Sequence, residues 1–233
     1  MGPPRIGTPM KRLHIMLASA GALLAIFALA ALTYTQRAEQ RALEELASQP
    51  TSLFLRPHSP TYGPPGAKVK ITEFFDPACE TCSAFYPIVK DIVDRSSGKV
   101  QLVVRYVPFH AGADQAVKLL EAARLQGQFW PVARQLLRQQ STWGADHNPR
   151  PDLIWGMVEG MGLDMERLRK DAASEQVQAH IEQDIADAKA LKVTRTPGFF
   201  VNGRPLKEFG RRQLEELVRE QVELAYGSGR TTP

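Results

Sequence analysis

The sequence predicts an α/β domain interrupted by an all-helical insertion and preceded by a helix long enough to cross a membrane. Three observations carry this. A strand, a helix and a second strand follow one another within about 40 residues from Lys68, a βαβ unit whose strands should be parallel with a right-handed crossover. About 80 residues of helical pattern then intervene before a β-hairpin and a closing helix. Ile15 to Leu32, finally, is an 18-residue run without a charge, against the roughly 20 that span a bilayer.

Size and charge narrow the classes. At 233 residues with 43% apolar content the chain holds one sizeable domain and an appendage. Residues 1–60 carry six Lys/Arg against three Asp/Glu, and residues 61–233 carry 23 against 22. The basic excess is therefore mostly N-terminal. No Lys/Arg run is interleaved with aromatics, which argues against a nucleic-acid partner.

Lys11 and Arg12, with Arg5 further out, precede the apolar run. That bias predicts an N-terminus inside and the rest of the chain translocated. A cleaved signal peptide is the alternative, with Ala28-Leu29-Ala30 as an A-x-A site. The run, however, exceeds the usual apolar region of about 7–15 residues in such peptides. In either case the domain reaches a compartment where disulfides persist. Gln36 to Leu46 reads as a short polar helix. Five prolines between 50 and 66 then suggest a semi-stiff spacer or an extended lead-in strand. The chain thus divides into an inside N-terminus (1–12), an apolar segment (13–34), a linker (35–60), a domain (61–226, with its helical insertion at about 111–191) and a tail (227–233).

Within the domain, Lys68 to Phe75 reads as a strand buried on both sides. A helix opens at Cys79, carries Phe85, Ile88, Val89, Ile92 and Val93 at helical spacing, and is kinked by Pro87. Val100 to Val107, rich in β-branched residues, is the second strand. Helices follow at Asp114–Gln126, Gln128–Gln140 and Pro151–Met161, then one capped by Asp164 and one over Ser174–Leu191. A loop from Ser141 to Pro151 holds Trp143 and His147, which read as insertion packing or loop surface. Gly198 to Val201 is a strand, Asn202-Gly203 a two-residue turn and Arg204-Pro205-Leu206 the returning edge. Gln213 to Ala225 closes the chain as an amphipathic helix.

The chemistry sits between the first strand and the first helix. Cys79 and Cys82 are the only cysteines, and both open that helix. Unpaired N–H groups and the positive end of the helix dipole favour a thiolate there. A structural disulfide of this span would close too short a loop to stabilise much. A zinc site needs about four ligands, and His58, His110, His147 and His180 show no paired ligand spacing. His110 follows the second strand, where a solvated loop position is expected.

Taken together, Glu-Phe-Phe-x-x-x-Cys-x-x-Cys, the helical insertion, Thr196-Pro197, Phe-Val-Asn-Gly and the terminal helix resemble the DsbA-like branch of the thioredoxin superfamily, over roughly Pro60 to Tyr226. The resemblance implies a thioredoxin-like fold with an inserted helical subdomain and an activity of exchanging disulfides with exported proteins. It implies no cofactor and no metal. It also implies a membrane redox partner that resets the dithiol. On this resemblance Cys79 is the exposed nucleophile and Cys82 the resolving thiol. Thr196 and Pro197 form a cis-proline turn that pairs with an extended substrate segment. Glu73 is a buried carboxyl that takes the Cys82 proton, and Arg105 on the neighbouring strand is its expected partner. Glu80 and Thr81 stand where strongly oxidising relatives carry Pro-His. The Glu80 charge should then raise the Cys79 pKa relative to such relatives.

Two other readings stay open on the sequence. One is a reductase or isomerase kept reduced by a membrane electron donor. The other, of a different class, is a metallochaperone using the thiols as soft copper ligands.

Overall fold

The structure, a computed structural model, describes residues 9–144 and 150–227, and within the first helix the side chains of residues 21–38, 40, 41 and 45. Arg5, His147 and residues 228–233 of the tail lie outside the described residues. The chain forms two units, Met1–Glu45 and Leu46–Pro233.

The first unit is essentially one helix, α1 (Pro9–Ala47). The apolar run and the polar helix expected after it are continuous, because no Gly or Pro occurs from Ala22 to Gln49. The stretch Gly21–Ala38 is long and apolar enough to cross a membrane, and none of it is buried.

The second unit is organised on a five-stranded sheet of order β1-β3-β2-β4-β5. Its strands are β1 (Thr61–Tyr62), β2 (Val69–Phe75), β3 (Val100–Tyr106), β4 (Gly198–Val201) and β5 (Arg204–Pro205). β2 and β3 are parallel, joined through α2 (Glu80–Asp94), and the other pairs are antiparallel. Between β3 and β4 lie α3 (Ala113–Leu125), α4 (Phe129–Arg138), the one-turn α5 (Gln140–Trp143) and α6 (Ile154–Met157), then α7 (Met165–Ala172) and α8 (Glu175–Ala190). The chain closes on α9 (Arg211–Tyr226). This is a thioredoxin-like fold with a helical insertion.

Local chemistry accounts for most of these boundaries. The Asp164 and Ser174 side chains accept the N–H groups of Arg167 and Val177, which caps α7 and α8. Asn202 and Gly203 have φ of 48° and 80°, as a tight hairpin turn requires. Gly63, at φ 96°, passes so close to β3 that a Cβ there would lie 2.9 Å from the Val100 carbonyl. The helix expected over 151–161 is only one turn long, and past its end at Met157 the chain turns through Gly160 and Gly162 at positive φ. Trp143, expected in a loop, ends α5 fully buried, with its indole N–H bonded to the Leu136 carbonyl at 2.9 Å.

Strand periodicity divides the interior in two. Val69, Ile71 and Phe75 face a large core shared with α2, α9 and the insertion, whereas Phe74 faces a smaller one with Phe54, Val107, Ala188, Leu191 and Phe200. The smaller core recruits part of the expected linker. Phe54, His58 and Ser59 are buried, and Thr61–Tyr62 pairs with β3. The segment before residue 60 therefore packs onto the domain, because its apolar and charged side chains find partners on α8 and β3.

Candidate active site

The site is built on the turn between β2 and α2. Asp76, fully buried, accepts four N–H groups: Ala78 N at 2.8 Å, Phe109 N at 2.8 Å, His110 N at 3.0 Å and His110 Nδ1 at 2.7 Å. Its carbonyl accepts the Cys79 N–H at 3.1 Å, and Gln140 Nε2 donates to the Pro77 carbonyl at 2.8 Å. The turn that presents Cys79 is thus gripped from the loop after β3 and from α5. His110, expected in solvent, is one of these anchors and is only 21% exposed. Sequence reasoning found the turn but not its anchors, which lie 34 and 63 positions away along the chain.

Cys79 is the N-cap of α2, in extended backbone geometry. It was expected to be exposed, yet only 7% of its surface is accessible, because the Thr196 carbonyl lies 3.3 Å from its sulfur. The Thr196–Pro197 peptide bond is cis. Hydrogen bonding by the Cys82 thiol, aided by Thr196 and the N–H groups of Cys82 and Thr81, overcomes burial and brings the Cys79 pKa down to about 5. Glu80 and Thr81 are exposed, and Thr81 acts on Cys79 through its backbone.

Cys82 is fully buried, and burial, the hydrogen bond it donates to Cys79 and the Glu73 charge push its pKa well above the ordinary thiol value. Both cysteines are free thiols. Glu73, 3% exposed, is pushed up to about 8 by burial and then by the charge of Cys79, and its Oε1 has no hydrogen-bond partner among the described residues. Its expected pairing with Arg105 does not occur. In the β2–β3 register Phe74 stands opposite Arg105 and Glu73 opposite Val104. Neighbouring register partners share a face of the sheet, so Arg105 leaves on the far side from Glu73. There it binds Asp184 (Nε to Oδ1, 2.9 Å) and Asp187 (Nη2 to Oδ2, 2.5 Å).

The rim of the site is aromatic. Phe85 of α2 packs on Phe199 (centroids 5.8 Å apart) and on Phe209 (4.5 Å), and Phe209 and Phe109 are 39% and 50% exposed. Among the described residues no group of three or more His, Cys, Asp or Glu is arranged to hold a metal ion.

A thioredoxin-like sheet that brings a cis-proline turn against a Cys-x-x-Cys helix defines a class of thiol–disulfide proteins. Residues 56–220 match the family described as Thioredoxin, and the chain belongs to that family. Its fold is that of the DsbA-like thiol–disulfide oxidoreductases. A thioredoxin-like oxidoreductase from Silicibacter pomeroyi is 30% identical, with a TM-score of 0.66 over 76% of this chain and 99% of that one. DsbA2 of Pseudomonas aeruginosa is 27% identical, with a TM-score of 0.57 over 70% and 92%. Among curated proteins, Na(+)/H(+) antiporter NhaA 3 of Salinispora tropica is 34% identical over 175 residues, 73% of this chain and 25% of that protein. NhaA of Herminiimonas arsenicoxydans is 32% identical over 145 residues, 62% of this chain and 22% of that protein. The chain therefore spans about a quarter of the length of these curated relatives.

Proposed function

We propose that this chain is a membrane-tethered protein disulfide oxidoreductase that exchanges disulfides with exported proteins through Cys79 and Cys82. The observation that carries the reading is the geometry of the two sulfurs: Cys79 caps the helix beside the cis Thr196–Pro197 turn and keeps 7% of its surface accessible, whereas Cys82 is fully buried behind it. An attacking and a resolving thiol need that asymmetry.

In the reducing direction the Cys79 thiolate attacks a substrate disulfide. A Cys79–substrate S–S bond forms as the substrate S–S bond breaks, and the departing thiolate is protonated by solvent. Cys82 then passes its proton to Glu73 and attacks the Cys79 sulfur. The Cys79–Cys82 disulfide closes, the second substrate thiolate leaves, and two electrons have moved from the dithiol to the substrate. Reversed, the same steps take two electrons from a substrate dithiol, with Glu73 returning the proton to Cys82. A thiolate held at about 5 stabilises the reduced pair, which favours this oxidising direction. The Thr196 backbone offers an extended substrate segment a short edge beside the sulfur.

The run preceded by Lys11 and Arg12 supports an anchor in the cytoplasmic membrane, with the domain on the outer, periplasmic side. A membrane redox partner would then recharge the dithiol. Ion transport by the antiporter relatives is not carried over, since they share only about a quarter of their length with this chain.

Reduction of insulin disulfides by the reduced domain tests the reading. Cys79→Ser abolishes turnover, and Cys82→Ser accumulates a mixed disulfide on Cys79. A Cys79→Ser protein as active as the parent would refute the assignment. Alkylation gel shifts on intact cells read direction, and a mostly oxidised pair marks an oxidase.

A further inference from the structure

Residues 61–233 carry almost equal numbers of basic and acidic side chains, yet one end of the domain is basic. Lys68 and Lys70 line one surface cavity. The Nζ atoms of Lys68 and Lys99 lie 5.0 and 5.7 Å from the centroid of a single ring, that of Tyr226. Lys99 in turn shares a groove between α2 and α9 with Arg95 and Arg219. These five cations form one continuous strip. Asp91 and Glu215 pair with Arg95. Lys68, Lys70, Lys99 and Arg219 make no ion pair among the described residues. Lys70 Nζ donates to the Pro65 carbonyl at 2.9 Å and to Gln101 Oε1 at 2.5 Å, and Lys68 Nζ to the Ala225 carbonyl at 3.4 Å. Glu215 is the one carboxylate lining either hollow, and Arg211 also holds it. Cations gathered without counter-charges repel one another and attract an external anion.

The strip lies at the opposite end of the sheet from the dithiol. Lys68 and Lys99 precede the paired starts of β2 and β3, where Val69 stands opposite Val100. Cys79 follows the far end of β2, beyond about 23 Å of strand. The chain also enters the domain here, since Gln49 and Thr51 line the same cavity as Lys68 and Lys70. Tyr226, half-buried between Lys68 and Lys99, has the amphipathic ring favoured at bilayer–water interfaces, and Leu224, two residues before it, is 64% exposed.

We propose that this strip docks on anionic phospholipid headgroups of the membrane that holds α1, turning the dithiol end of the domain toward its substrates and away from the bilayer. This rests on the membrane-tether part of the reading above. Charge complementarity selects the occupant, because lysines with only neutral partners can be neutralised by lipid phosphates. The tether makes the bilayer the anion held at high effective concentration beside the strip.

The test uses the full chain reconstituted in vesicles of phosphatidylcholine, alone or mixed with phosphatidylglycerol. A membrane-impermeant amine-acylating reagent, read by mass spectrometry, reports the accessibility of each lysine. Lys68 and Lys99 should react about 10-fold more slowly in the anionic vesicles at low salt. At about 1 M salt, where the screening length is about 3 Å, they should return to the rate seen in neutral vesicles. Lys170 of α7 and Lys192, on the approach to the Thr196–Pro197 turn, are both exposed and should react alike in the two vesicles. Combining Lys70→Gln with Arg219→Gln should bring the protection of Lys68 and Lys99 to within about 2-fold of neutral vesicles. Equal reactivity in both vesicles, protection that survives high salt, or equal protection of Lys170 and Lys192 would each overturn the docking. Protection by soluble polyglutamate in neutral vesicles, with none from anionic lipid, would assign the strip to an acidic protein and overturn the lipid assignment. A chain that fails to float with neutral vesicles would overturn the tether and the docking with it, while insulin reduction in the same samples reads the thiol chemistry separately.

Discussion

Two sets of carboxylates are buried on opposite faces of β2 and β3, and they are treated in opposite ways. On one face Asp184 accepts Arg105 Nε at 2.9 Å, the Tyr106 N–H at 2.8 Å and a His58 contact at 2.7 Å. Asp187 beside it accepts Arg56 at 2.8 Å through two nitrogens, as well as Arg105. Against the upward push of burial, Arg56 and Arg105 hold Asp187 below the usual carboxylate range. On the other face Glu73 has no cation beside it among the described residues, and its pKa rises to about 8. The same residue class is a fixed charge where donors surround it and a proton store where, among the described residues, none does. The paired set fastens the lead-in segment to α8 and β3; the lone carboxyl lies beneath the dithiol.

The largest effect expected from this contrast is on stability. Arg105→Met leaves Asp184 and Asp187 buried without their shared cation and should cost on the order of 3–5 kcal/mol in urea unfolding. The Cys79 titration should be unchanged, because the change is on the far face. A shifted titration would show that the two faces are not independent.

Glu73→Gln should do the reverse. The folded-state pKa of Glu73, about 8, lies above its ordinary 4.5, so its favourable contribution is complete below pH 4.5 and is lost as pH rises through about 8. Removing the carboxyl should therefore stabilise the reduced protein by about 4 kcal/mol at pH 8, with the gain vanishing near pH 4. Thermal unfolding across that range checks it, and a destabilised variant at pH 8 would mean that Glu73 has a partner. In the parent, Cys79 contributes the opposite trend. Its folded-state pKa of about 5 is below the ordinary 9.0, so its contribution grows from pH 5 toward 9 and is lost as pH falls through about 5.

The smallest effect expected is that of Glu80→Gln. Because Glu80 is exposed, solvent screens it, and the Cys79 titration should move by no more than about 0.3 pH unit. A fall of a full unit would instead support the sequence-based expectation that Glu80 opposes the thiolate.

Much of this was legible residue by residue. The spacing of Cys79 and Cys82, the β-branched run of β3, the Asn202-Gly203 turn and the Asp164 and Ser174 caps each act within a few positions. Local rules therefore found them. The direction taken by Arg105 could not be found that way. It depends on the register of β2 against β3, and a slip by one residue would turn Arg105 toward Glu73. The hold of Asp76 on His110 was hidden for a related reason, since its donors are distant in sequence. The prolines before residue 60 suggested a spacer, and nothing local showed that Phe54, Arg56 and His58 would meet Phe200, Asp187 and Asp184.

By itself, then, the sequence determined that a dithiol opens a helix after a buried strand, that a helical insertion follows and that an apolar segment precedes them. Turn chemistry, periodicity and run length are short-range and survive without a folded context. The tertiary structure alone decided which carboxyl stays unpaired and where Arg105 turns. Those outcomes depend on burial and on charges brought together from distant positions, and desolvation acts only once the sheet has closed over them.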